Sequence, residues 1–213
     1  MPMNRSPPAD KWGCDVLGPF NRSRKGNRDI IVAIDYYRRY TEIKAVPDAT
    51  TPKITKFIIE NIVTKHGTPT MIVTDRGRAF ISRLAKELFE RVGIIHVTTT
   101  SFHPQSNLAE RINASISTML SMYTSTNQRD WDEQIPSITL AINTQFHVSL
   151  GTSAFYLMYG RNCRLPIEIP TIRTDESGFN EDTWKIAKQK ALEITAKQQE
   201  KHKEIFDRRK VDK

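Results

Sequence analysis

Apolar positions in the first hundred residues come in short runs rich in β-branched and aromatic side chains, and they then shift to helical spacing. WGCDVLGPF (12–20) reads as a short strand closed by Gly18-Pro19. RSRKGN (22–27) is a polar turn. DIIVAIDYYRRYTEIKAV (29–46) reads as two strands with a break near Arg38-Arg39. TTPKITKFIIENIVTKHG is punctuated as a helix. Thr51 can cap it, Pro52 suits its first turn and Gly67 can end it, while Ile54, Phe57, Ile58 and Ile62 share one face. TMIVTD (70–75) is a strand whose last residue is an aspartate. Ser82 opens a second helix, with Leu84, Leu88, Phe89 and Val92 on one side and Gly93 at its end. IIHVTTT (94–100) is a further strand.

The order β, β, β, α, β, α, β predicts an α/β domain with a mixed five-stranded sheet flanked by helices. The first three strands are joined too tightly for crossovers and should be antiparallel. The later ones have room for parallel crossovers. Beyond Asn107 the chain turns helical, with Leu108, Ile112, Ile116, Met119 and Tyr123 at helical spacing. Trp131, Ile135, Ile138, Ala141 and Ile142 predict another helix, reaching about Phe146, and GTSAFYLMYG (151–160) predicts a compact helical turn. RLPIEIP (164–170) reads as extended. From Thr183 a Lys/Gln/Glu-rich stretch carries a stripe of Trp184, Ala187, Ala191 and Ile194, giving a C-terminal helical extension. The implied layout is an irregular leader over 1–10, a core over 11–170, and a linker with a basic helical tail over 171–213.

Charge narrows the partners. The 213 residues carry a formal net charge of +8, which favours a polyanion. Residues 185–213 hold 10 Lys/Arg against 5 Asp/Glu, so the rest of the chain is only mildly basic. The two cysteines, Cys14 and Cys163, and the five scattered histidines lack metal-ligand spacing, so no structural zinc is expected. Reduced thiols suit an intracellular protein. No apolar run approaches the roughly 18 residues of a membrane span, and the first residues lack the apolar stretch of a signal peptide.

Three acids fall at ends of elements: Asp15 in the first strand, Asp75 at the end of the fourth, and Glu110 at the start of the helix after the fifth. In open α/β sheets such ends are where sites form. Three carboxylates brought together repel unless a divalent cation joins them, and Mg²⁺ accepts a few carboxylates plus water and phosphate oxygens. Each acid also has a plainer reading. Asp15 can be an exposed strand residue, Asp75-Arg76-Gly77 a turn, and Asn107 with Glu110 a capping box. Glu110 lies about 200° around the helix from both Leu108 and Ile112, off the apolar stripe and beside Asn113.

The blocks WGCDVLGPF, IIVAIDYYRRYTE, TMIVTDRGRAF and HPQSNLAERIN, in this order, resemble the catalytic core of retroviral and gypsy-type LTR-retrotransposon integrases. WDEQIPSITLAINTQFHVSLGTSAFYLMYGRNCRLPIE is similar to the segment downstream of that core in gypsy-type relatives. The resemblance implies an RNase H-like fold with two Asp and one Glu as metal-binding, catalytic residues. Asp15 matches the first, in the W-x-x-D block. Asp75 matches the second, in T-D-R-G, and Glu110 the third, in E-R-x-N. Asp35 falls at a strand position the family does not use as a ligand and is read as structural. Leu108-Ala109 stands where many relatives carry a Gly and an extra residue.

The resemblance further implies a polynucleotidyl transferase using two Mg²⁺ (or Mn²⁺) ions. Water would first cut near the 3′ end of element DNA, and the exposed 3′-hydroxyl would then attack a target phosphodiester in line. Asp15 would bridge both ions, Asp75 would hold one and Glu110 the other. His103, Gln105 and Ser106, in a loop resembling the one that closes over DNA, are candidate DNA contacts. So are Asn113, Arg111 and Arg76. The basic tail could bind phosphates nonspecifically or be a solvated helix. Double-stranded DNA, a homo-oligomer and a nuclear location are the expected partners and place, with no membrane. The family's zinc domain and C-terminal DNA-binding module are not among these residues, so the chain reads as an excised core, a truncated product or a domesticated copy. The competing functions are a retrotransposon-derived DNA-binding or scaffold protein without catalysis, and a related RNase H-fold nuclease or transposase.

Overall fold

The computed structural model describes residues 10–99, 108–124, 129–164, 180–194 and 197, with the side chains of Glu110 and Arg111 outside that description. The predicted extended segment lies almost wholly outside it, as do the loop candidates His103, Gln105 and Ser106 and most of the basic tail. Two compact units form, one from Ser6 to Ile142 and one from Met1–Arg5 with Asn143–Lys213.

The first unit is built on a mixed five-stranded sheet in the order β3-β2-β1-β4-β5. Its strands are β1 (Lys11–Leu17), β2 (Asp29–Asp35), β3 (Thr41–Val46), β4 (Met71–Thr74) and β5 (Ile95–Thr98). As expected from connection lengths, β1–β2 and β2–β3 are antiparallel, while β1–β4 and β4–β5 are parallel. Strand alternation splits the sheet between two apolar layers. Trp12 and Cys14 of β1, Ile31 and Ala33 of β2 and Ile72 of β4 face one layer, which α1 (Thr51–Phe57) and α4 (Arg83–Val92) complete with Ile54, Phe57, Ala85 and Phe89. Ile30, Val32 and Ile34 face the other, against α5 (Leu108–Tyr123) and α6 (Ile135–Thr144).

The helix predicted over 51–67 continues past α1 through a wider π turn (Ile58–Val63) into α2 (Thr64–His66), and Gly67 ends it at φ 89°. Thr51 does not cap this helix. It is the first helical residue, and its hydroxyl instead donates to the Ala79 carbonyl. A short α3 (Arg78–Ile81) precedes α4. Ser82 does cap α4, accepting from the Ala85 amide, and Gly93 closes it in the left-handed conformation. The buried face of α4 differs from the predicted one: Ala85 and Phe89 point inward while Leu84 is half exposed, because the small Ala85 lets the helix approach the sheet. In α5 the buried stripe is Ala109, Ile112, Ile116 and Leu120, and Tyr123 turns out to solvent. A 3₁₀ turn (Trp131–Glu133) leads into α6, which stops at Thr144.

In the second unit, β6 (Phe146–His147) and β7 (Thr152–Ser153) form a small hairpin before α7 (Ala154–Tyr159). Residues 181–194 are helical (α8). Ala191 is fully buried against Leu150 and Leu157, with Ala187 beside it. The Trp184 indole donates to the Leu157 carbonyl at 3.3 Å, so the predicted stripe is the packed face.

Candidate metal centre

The neighbouring parallel strands β1 and β4 supply the first two acids. Their register pairs Lys11 with Met71, Trp12 with Ile72 and Gly13 with Val73. Asp15 follows two residues after Gly13 on β1, and Asp75 follows two residues after Val73, just past the last residue of β4. Alternation puts Asp15 on the face opposite Trp12, toward α5, and adjacent strands run about 4.8 Å apart. Carboxylate oxygens are hard donors of the kind a hard divalent cation takes.

Asp15 is 9 % exposed. Its Oδ1 accepts from the Val16 amide at 2.9 Å, and its Oδ2 accepts from Asn113 Nδ2 at 2.8 Å. That second bond ties the strand to α5. Asn113 lies one turn after Glu110, so the backbone of Glu110 lies one helical turn before the residue that grips Asp15. The buried Oδ1 of Asn113 has no partner among the described residues. Asp15 is also felt behind the strand: burial, and after it the charge on Asp15, hold the Cys14 thiol above its ordinary pKa.

Asp75 lies just past the end of β4, and its Oδ1 accepts from the Gly77 amide at 2.9 Å. A Cβ on Gly77 would sit 2.9 Å from that oxygen, so the tight turn needs glycine. The turn reading and the ligand reading are thus compatible, since a second carboxylate oxygen remains. Arg76 beside it is exposed. A hydrogen-bond chain backs the aspartate from the other face of the sheet. The Thr74 hydroxyl donates to the Asp75 carbonyl at 2.7 Å and lies 2.9 Å from His96 Nε2. With the only hydroxyl proton committed to Asp75, Nε2 is the donor in that second contact. His96 packs on Phe89, and burial, with Lys86 nearby, lowers its pKa.

The structure therefore joins Asn113 to Asp15, sets Asp75 just past β4, the strand beside β1, and places the backbone of Glu110 one helical turn before Asn113. Asn113, read from sequence as a DNA contact, is bonded to Asp15. Its position three residues after Glu110 is the available signal for that link. The Thr74–His96 chain carries no sequence signal, because it depends on the β4–β5 pairing. Asp35, read as structural, is fully buried and accepts from the amides of Tyr37 (2.7 Å) and Arg38 (3.3 Å), holding the β2–β3 turn in which Arg39 takes φ 63°. Among the described residues no group of three or more His, Cys, Asp or Glu side chains is placed to hold a metal ion. None of the described helices is long and apolar enough to cross a membrane.

Residues 5–104 match the family model described as Integrase core domain, a span that contains Asp15 and Asp75 and stops short of Glu110. Over that span the chain is similar to integrase core domains. Among curated relatives, the chain is 23% identical over 207 residues to the "Retrovirus-related Pol polyprotein from transposon 412" of Drosophila melanogaster, covering 93% of this chain and 17% of that protein. It is 28% identical over 152 residues to the "Gypsy retrotransposon integrase-like protein 1" of Bos taurus, covering 71% of this chain and 30% of that one. The chain thus spans less than a third of the length of either relative. In fold it is similar to the HTLV-2 integrase catalytic core domain solved with magnesium, with TM-score 0.57, 21% identity, and 70% and 95% of the two chains covered. It is also similar to a chain of the simian T-cell lymphotropic virus intasome solved in complex with the PP2A regulatory subunit B56 gamma. There the TM-score is 0.60, the identity 19%, and the coverage 78% and 60%. The resemblance and the RNase H-like fold expected from sequence are both borne out.

Proposed function

We propose that the chain is a DNA integrase core, a polynucleotidyl transferase that processes the 3′ ends of element DNA and joins them to target DNA. The observation that supports this reading is the hydrogen bond from Asn113 to Asp15, which ties α5 to β1, the strand beside β4 and the Asp75 that follows it. Asp15, Asp75 and Glu110 would hold two Mg²⁺ (or Mn²⁺) ions. Bound there, the ions would supply Lewis-acid activation of the attacking oxygen and charge relief for the leaving one.

The chain's own residues have separate tasks. Asn113 holds one Asp15 oxygen in place by donating to it. The Gly77 amide fixes the rotamer of Asp75. His103, Gln105, Ser106, Arg76 and Arg111 would contact DNA beside the reacting phosphate. In the joining step a 3′-hydroxyl oxygen forms the new P–O bond as the target's P–O3′ bond breaks. The proton lost by the attacker is balanced by the one gained at the leaving 3′ oxygen, and no covalent enzyme intermediate is needed. Residues 11–170 would act as the core and 171–213 as linker and basic tail. The relatives solved in trimeric and dimeric forms support a homo-oligomer, and the DNA substrate supports a nuclear location, which native-cell imaging of tagged protein would contradict if it excluded nuclei.

The test uses a branched DNA that mimics the joined product, incubated with the purified chain and Mg²⁺ or Mn²⁺. The expected result is metal-dependent rejoining of the target strand that disappears in Glu110→Gln. A folded, DNA-binding chain that never rejoins would instead favour a scaffold protein without catalysis.

A further inference from the structure

The hairpin between β1 and β2 is longer than a strand connection requires. Residues 18–28 join two antiparallel neighbours, where about two to five residues usually suffice. Within it, Arg22, Arg24, Lys25 and Arg28 carry four positive charges and the stretch 21–28 holds no acid. All four are exposed. Yet the loop is firmly built. Ser23 is buried, and its hydroxyl donates to Asp132 Oδ2 at 2.7 Å while accepting from the Asn27 amide at 3.0 Å. Asn27 Nδ2 donates to the same Asp132 oxygen at 2.7 Å. The Trp131 indole donates to the Asn21 carbonyl at 2.7 Å, and Trp131 packs on Phe20. The Arg24 amide donates to the carbonyl of Arg129, which adds a fifth exposed cation. Lys25 pairs loosely with Glu133 at 3.7 Å.

Such an arrangement runs against the mutual repulsion of its charges. A solvated loop would spread them and would not commit a carboxylate as buried as Asp132 to holding its backbone. A polyanion binding here would lose little entropy in ordering the loop, because the protein has already ordered it. Four of the five cations are guanidinium groups, which match phosphate oxygens in forked pairs. The loop also leaves the sheet from the end that bears the acids, since β1 ends two residues after Asp15 and runs parallel to β4.

We infer that the β1–β2 loop with Arg129 is a preformed docking site for the phosphate backbone of double-stranded DNA, gripping the duplex to one side of the reacting phosphodiester. This rests on the reading of the chain as a DNA-joining core. The contact is to phosphates alone and is insensitive to base sequence.

The test compares the full chain with a variant carrying Arg22→Gln, Arg24→Gln, Lys25→Gln, Arg28→Gln and Arg129→Gln. Binding of a labelled random-sequence duplex is followed by anisotropy from low to moderate salt. Neutralisation should lower the slope of log affinity against log salt by about 0.9 per lost contact, so by roughly 4 to 5 in all. Affinity at low salt should fall at least tenfold, on both random and element-end duplexes. In the rejoining assay KM for DNA should rise while kcat holds. The single variants Arg22→Gln and Arg28→Gln should each remove about 0.9 from the slope, which preserves the test if the multiple variant melts early. A folded variant with the parent's slope, or a parent chain that does not bind duplex, overturns the docking site. A parent that binds through the loop but never rejoins defeats the catalytic reading and leaves the docking site standing.

Discussion

The two faces of the central sheet are built for different purposes. The face toward α1 and α4 is a continuous apolar layer from Val46 through Trp12 to Phe89, and its polar groups are paired at the margin, as Glu42 is with His66 and Lys65. The face toward α5 is apolar over β2, with Ile43 and Ala45 of β3 beside it. On β1 it carries Gly13 and then Asp15, and on β4 it ends at Asp75. Gly13 has no room for a side chain, since a Cβ there would meet the Tyr36 ring at 2.9 Å. At the far edge, Ile95 and Val97 of β5 stand exposed on this same face. One face holds most of the stability and the other gives some of it up to hold two carboxylates still.

Substitutions should separate the faces. Trp12→Ala empties the largest fully buried side chain on the apolar face. It should cost about 3–5 kcal/mol in urea unfolding, enough to unfold much of the protein at 37 °C. Asp15→Asn, three residues along the same strand but on the other face, should leave the urea midpoint nearly unchanged while rejoining falls by more than about 100-fold. A large loss of stability there would mean that the carboxylate is structural. Asn113→Ala should lower rejoining about 10- to 100-fold and raise the metal concentration needed, with only about 1 kcal/mol lost in unfolding. Back on the apolar side, Ser82→Ala removes a helix cap and should cost about 1 kcal/mol, visible as a lower melting temperature and unchanged rejoining per folded molecule.

The smallest expected effect is a change in pH dependence. Burial raises the pKa of Glu42, but hydrogen bonds from His66 and Lys65 outweigh it and leave the carboxyl below its ordinary 4.5. A depressed carboxylate pKa adds stability that is fully present above about pH 4.5 and is lost as pH falls through the folded value. Glu42→Gln should therefore flatten the acid limb of a plot of unfolding midpoint against pH. An unchanged limb would assign it to other carboxylates.

Most of the sheet can be read from the chain because its strands advertise themselves locally, through β-branched runs ended by Gly18-Pro19, Arg38-Arg39 and the Asp75 turn. The same local signals put the three acids at element ends, and their expected roles come from family blocks rather than spacing. What stays hidden depends on contacts across long sequence separations. No local pattern joins Asn113 to Asp15, 98 residues apart, or Ser23 to Asp132, 109 apart. Helix faces mislead where a small residue substitutes for a large one. Leu84 looks like core by spacing, yet Ala85 is what the sheet admits. The β6–β7 hairpin escapes because two-residue strands carry too little pattern to register.

The parallel pairing of β1 with β4 has a consequence for how such a centre tolerates drift. The relative height of the two strands is set by backbone register, Lys11 to Gly13 against Met71 to Val73, and their lateral separation by the pitch of a sheet. Neither quantity passes through the 53 residues between Val16 and Thr70 as a length. Changes of length in the loops of that stretch leave the register of the two strands untouched so long as their three backbone pairings survive. The spacing is inherited from the peptide bond itself, and the side chains need only be the right kind.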